Sequence, residues 1–160
     1  MPPATEENSL KDQMRNVLEE ARMILPGVQA LFGFQTIAVF NQRFVDMGVF
    51  SRYCHLAALM LVVVSIGLVM APAAWHRLVS PSRVTAEITA ISSKLISWAL
   101  VPLALAVAMD VGVVIQLGTE MGTLSVSGGL ITLAILALLW FIAPLCRRRR
   151  DQSRERYRGQ

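Results

Sequence analysis

Residues 95–117 read LISWALVPLALAVAMDVGVVIQL. About 20 apolar residues, each rising ~1.5 Å along a helix, cross the ~30 Å hydrocarbon core of a bilayer. Leu95 to Leu117 meets that length with a single ionisable side chain, Asp110. A carboxylate in hydrocarbon is costly, so Asp110 must be neutral, paired or turned toward a polar cavity.

Three more apolar runs flank this one. Ile24–Phe40 (ILPGVQALFGFQTIAVF) is short and carries Gln29 and Gln35, which are expected to point into a bundle rather than at lipid. Pro26–Gly27 near its start reads as the beginning of a new helix, since proline's missing N–H costs nothing in a first turn. Tyr53–Ala74 (YCHLAALMLVVVSIGLVMAPAA) is bracketed by Tyr53 and Trp75 as interfacial anchors, and Val126–Cys146 closes the set. The spans expected are therefore about 24–40, 53–74, 95–117 and 126–146, with Trp75–Ala86 as a polar connection and Gly118–Ser125 as a short turn.

Composition agrees with this class. At 160 residues the chain has the length of one domain, and 54% hydrophobic residues with a mean hydropathy of +0.53 are too oily for an ordinary soluble domain. Residues 1–8 are expected to be a disordered tail, polar and proline-rich. Ser9 reads as a helix N-cap with Asp12 three residues on. Leu10, Met14, Val17, Leu18, Ala21 and Leu25 then form one apolar stripe, with Asp12–Arg15 and Glu19–Arg22 on the polar side. This predicts an amphipathic helix over 9–23, lying at the membrane surface or docked on its neighbours. The acid-rich start lacks the basic-then-apolar pattern of a cleavable signal, so the first span would act as an uncleaved anchor.

The fifteen lysines and arginines orient the spans. Three precede the first span (Lys11, Arg15, Arg22), three lie between the second and third (Arg77, Arg83, Lys94), and seven follow the fourth. The other two connections hold Arg43 and Arg52, and none, so the division is thirteen against two. By the positive-inside rule both termini are cytoplasmic; omitting the first span would leave ten against five. The expected fold is an all-α membrane protein with four transmembrane helices and an N-terminal amphipathic helix.

Chemistry-bearing motifs are scarce. Cys54 and Cys146 fall at opposite faces in this topology, which rules out a disulfide between them. His55 and His76 are far apart and make no metal-ligand spacing with the cysteines. No nucleotide loop, catalytic triad or carboxylate pair is present, so neither an enzymatic activity nor a cofactor is expected. The tail 147–160, RRRRDQSRERYRGQ, reads as a topology determinant whose Arg147, Arg148, Arg149 and Arg150 contact anionic lipid headgroups. With one aromatic and no fold of its own, it is not expected to bind nucleic acid.

Asp110 is the candidate ion or proton site. It lies seven residues, roughly 10 Å, below the outer end of its span. Depth matching brings Gln35, Thr36 and Thr132 to its level as hydrogen-bonding candidates, and Arg43 is close enough to dip toward it. Ala104, Ala108 and Gly112 repeat every four residues and form a small-residue packing seam. Asp110 lies ~200° around from Ala108 and Gly112, so seam and carboxylate address different neighbours. Two roles fit: proton or monovalent-cation exchange, or a hydrogen-bonded acid that fixes helix register or an oligomer interface. A third possibility for the whole chain is a non-catalytic subunit packed against another membrane protein.

Three stretches, EEARMILPGVQALFGFQ (19–35), FNQRF (40–44) and MAPAAWHRL (70–78), together with the acid in the third span, carry a resemblance. The chain resembles a family of small bacterial four-helix membrane proteins classed as a domain of unknown function, some members of which carry an automatic sodium:proton antiporter label. The resemblance implies a bacterial inner-membrane protein and supplies no mechanism. FNQRF departs from the family's FQxRF by placing Asn41 before Gln42, which bears on the role of Arg43.

Overall fold

The computed structural model describes residues 4–79 and 86–147, and among them every regular element is helical. In chain order these are α1 (Ala4–Val39), the one-turn α2 (Gln42–Asp46), α3 (Val49–Val79), α4 (Ala86–Thr119) and α5 (Gly122–Ala137). A π-helical turn, Leu138–Ile142, extends α5. Three helices are long and apolar enough to cross a membrane: Val49–Trp75, Glu87–Thr119 and Gly122–Arg147. The described residues divide into two compact units at Ala106–Val107, part-way along α4.

The first unit is built on seams of regular spacing. On α3 the buried residues are His55, Ala58, Val62, Ser65, Val69 and Pro72, at intervals of three and four. On α4 up to Ala106, Thr89, Ser92, Ile96, Ala99, Leu103 and Ala106 are buried at the same intervals, with Ala104 buried beside this repeat. A 3.5-residue repeat keeps a narrow stripe facing one neighbour, as in left-handed supercoils. Most of these residues are small, so the backbones approach closely enough for Ser65 Oγ to donate to the Ala99 carbonyl at 2.9 Å. Pro102 lies three residues beyond Ala99 and removes one backbone donor from this part of α4.

α1 differs from the sequence expectation. It is one helix, without the break that Pro26–Gly27 predicted. It starts at Ala4, inside the stretch read as a tail, and residues 1–3 lie outside the described residues. Ser9 is therefore no N-cap; its hydroxyl accepts from Gln13 Nε2 at 3.4 Å. Arg15 pairs with Glu19 at 3.0 Å rather than with Asp12, an exposed contact of little energetic weight. A proline inside a helix costs about 3 kcal/mol, and packing offsets it here. Met14, Val28 and Gln35 are buried at multiples of seven, Ala21 between them is half-buried, and α1 packs on α3. Pro26 is exposed, so its ring and the interrupted bond sit away from that seam.

The second unit contains the α4–α5 turn. α4 ends with Glu120 in the left-handed region at φ 55°, its N–H bonded to the Gln116 carbonyl at 2.9 Å. Thr119 Oγ1 donates to the Ile115 carbonyl and accepts from Met121 N–H at 3.3 Å, tying the end of α4 to the start of α5. The π-turn at the far end of α5 has a sequence cause. Pro144 lacks the N–H that would bond Trp140, and its ring clashes with that carbonyl in a regular helix. The wider turn instead carries an Ala143 N–H to Leu138 carbonyl bond. Residues 80–85 of the expected polar connection and Arg148 to Gln160 of the basic tail lie outside the described residues.

Candidate functional site

In the first unit the polar chemistry gathers where α1 turns through α2 into α3. The chain reverses over Phe40–Gly48, and Asn41 starts α2 by accepting the Arg43 N–H on its side-chain oxygen at 3.0 Å. Asn41 in FNQRF is thus a helix cap. From α3, Arg52 reaches back and donates through Nη2 to the carbonyls of Val45 (2.6 Å) and Met47 (3.3 Å). Its guanidinium carbon also lies 5.8 Å from the centre of the Phe44 ring, within cation–π range.

One turn further along α3, His55 is 6% exposed and its Nε2 is 3.0 Å from the Gln35 carbonyl oxygen. A carbonyl only accepts, so Nε2 carries the proton. The Phe44 ring meets the imidazole edge-on, with centroids 5.7 Å apart. The corner therefore joins three elements through one histidine, one arginine and one phenylalanine.

The second unit holds Asp110. Along α4 it continues the three–four spacing of the buried positions, in the register Leu103, Ala106, Asp110, Val113, and is itself half-buried. The small residues on another face meet α5. A Cβ added at Gly129 would stand 3.0 Å from the Ala108 carbonyl oxygen, and one at Gly112 would stand 3.2 Å from the Ser125 carbonyl oxygen. Ser125 Oγ donates to the Gly112 carbonyl at 2.7 Å. Ala108 and Gly112 on α4 thus face Ser125 and Gly129 on α5, small residues four apart on both sides.

Gln35 is buried in the first unit, with its backbone oxygen on His55. Thr36 and Thr132 are half-buried, and both hydroxyls turn back on their own helices, to Phe32 (2.8 Å) and Gly128 (2.9 Å). Each hydroxyl proton is used within its own helix, as threonine in a helix commonly does. Arg43 is exposed on α2, and Arg52 is the arginine that closes the corner. Ala104 is buried, Arg147 is exposed, and Arg148, Arg149 and Arg150 lie outside the described residues. No group of three or more His, Cys, Asp or Glu side chains able to hold a metal occurs among the described residues.

Sequence reasoning missed His55, Arg52 and Ser65. A signal for His55 and Ser65 existed, because both fall on the three–four repeat from His55 to Pro72 and must be buried if the repeat packs.

The model of a family of unknown function, DUF6328, matches residues 4–144, nearly the whole described chain, and the protein belongs to that family. No curated protein and no solved structure matches it.

Proposed function

We propose that this member of the family is a four-span protein of a bacterial inner membrane, with both termini cytoplasmic, that moves protons or monovalent cations with Asp110 as the titrating group. The fourth span is α1. His55 lies six residues, or ~9 Å, into the apolar stretch of α3 that starts at Val49, and the Gln35 carbonyl is bonded to it. That bond supports a depth inside the bilayer for the end of α1. Met14 is 21 residues before Gln35, and Trp75 is 20 residues after His55, so an antiparallel α1 matches the rest of α3 in length. Met23 to Gln42 supplies twenty residues without a charge. The thirteen-to-two division of basic residues belongs to this topology.

The observation that carries the transport reading is the carboxylate of Asp110, half-buried within an apolar helix and in register with its buried positions. An ionisable group at such a position marks ion or proton pathways in membrane proteins. Four short spans enclose little volume, so transport calls for a homo-oligomer. Purified protein in liposomes tests this: a proton or sodium gradient should drive a flux that Asp110→Asn abolishes while the helical content is unchanged. Absence of flux from the unaltered protein rejects it.

A second reading, a non-catalytic subunit packed against another membrane protein, is favoured by α5, which has no buried residue among Gly122–Ala137 and is apolar on every side. Co-purification of a stoichiometric membrane protein, with no flux, would select it.

A further inference from the structure

The α1–α3 corner exposes large apolar side chains at one end of the first unit. Phe40 is 84% exposed and Phe50 78%, with Val45, Val49 and Tyr53 also open and Arg43 among them. Their depth is set by hydrogen bonds. Arg52, in the first turn of the apolar stretch of α3, holds the Val45 and Met47 carbonyls, so α2 is tied within a turn of where that stretch begins. We propose that this corner is a lipid-interface anchor, with α2 seated in the headgroup region of one leaflet, its phenylalanines at the acyl boundary and Arg43 toward phosphate. The proposal rests on α3 crossing the membrane, and goes beyond the transport reading because it assigns a surface that takes no part in moving ions.

Three features of the corner select lipid over water or another protein. Aromatic side chains are favoured at the level where a membrane helix ends. Apolar groups alternate here with Asn41, Gln42, Arg43 and Asp46, all exposed, which suits a zone that is half hydrocarbon and half headgroup. Arg52 also holds α2 against the first turn of α3, so the loop cannot lift the phenylalanines away from that level.

The test uses the full chain carrying Cys54→Ser and Cys146→Ser, in phosphatidylethanolamine–phosphatidylglycerol vesicles. Nitroxide labels are placed singly through Phe40→Cys, Val45→Cys and Met60→Cys. Collision with oxygen, which partitions into lipid, is compared with collision with a water-soluble nickel chelate. The anchor requires oxygen-dominated collisions at 40 and 45 at a shallow depth, and deeper ones at 60. Nickel-dominated collisions at 40 and 45 overturn it, as does low access of both reagents, which would mean that protein covers the patch. A water-exposed label at 60 would overturn the span assigned to α3 and the anchor with it. A flux result bears on neither.

Discussion

His55 Nε2 lies 3.0 Å from the main-chain oxygen of Gln35, a buried bond between α3 and the last turn of α1. It links residues twenty apart in sequence and sets the register in which α1 meets α3.

Removing that bond should loosen α1 from α3. His55→Ala gives up a hydrogen bond worth about 1 kcal/mol and leaves space against Phe44, for a loss of about 2 kcal/mol in all. Thermal unfolding in detergent should show it, while Arg43→Ala, on an exposed side chain, should leave the midpoint unchanged.

Ser65 is 0% exposed and its hydroxyl bridges to Ala99. Ser65→Ala should cost about 0.5–1.5 kcal/mol, the range for one interhelical bond in a membrane protein. Ser65→Val also loses the bond, adds a second γ branch to a closed seam and should cost about 1–3 kcal/mol. Equal losses from both variants in detergent unfolding would mean that the bond, and not the close fit, dominates there.

Two adjacent glycines should respond in opposite order to their crowding. A Cβ at Gly128 would meet the tip of Ile115 even more closely than one at Gly129 meets the Ala108 carbonyl. The Ile115 tip can rotate away, whereas a backbone oxygen inside a helix cannot. Gly128→Ala should therefore be mild, and Gly129→Ala should cost about 1–3 kcal/mol. Hydrogen exchange of the α4–α5 turn, faster in the second variant only, checks the order.

Glu120 adopts φ 55°, a conformation that costs an ordinary residue about 1–2 kcal/mol. Glu120→Gly should stabilise the turn by about 0.5–1 kcal/mol once glycine's freedom in the unfolded chain is deducted. Glu120→Val, β-branched at the same φ, should destabilise it. Detergent unfolding of the pair measures the sign.

Much of this molecule is decided by local composition. The stretches read as spans at 53–74, 95–117 and 126–146 lie inside α3, α4 and the extended α5, because an uninterrupted apolar run admits no other backbone solution in lipid. The face occupied by Asp110 also follows from helical spacing alone, since residues two apart on one helix point in nearly opposite directions.

The remaining features depend on how the helices meet. Pro26–Gly27 reads as the start of a new helix, yet α1 continues through it, with Met14 and Val28 buried on either side. The hydroxyls of Thr36 and Thr132 each donate to a carbonyl one turn back in their own helices. His55 makes no metal-ligand spacing in the sequence, and its partner is a main-chain carbonyl that α1 brings beside it. The pattern of apolar residues determines that helices form and which faces they hide. Which polar atoms meet depends on the register between helices, and that is set by packing between residues far apart in the chain.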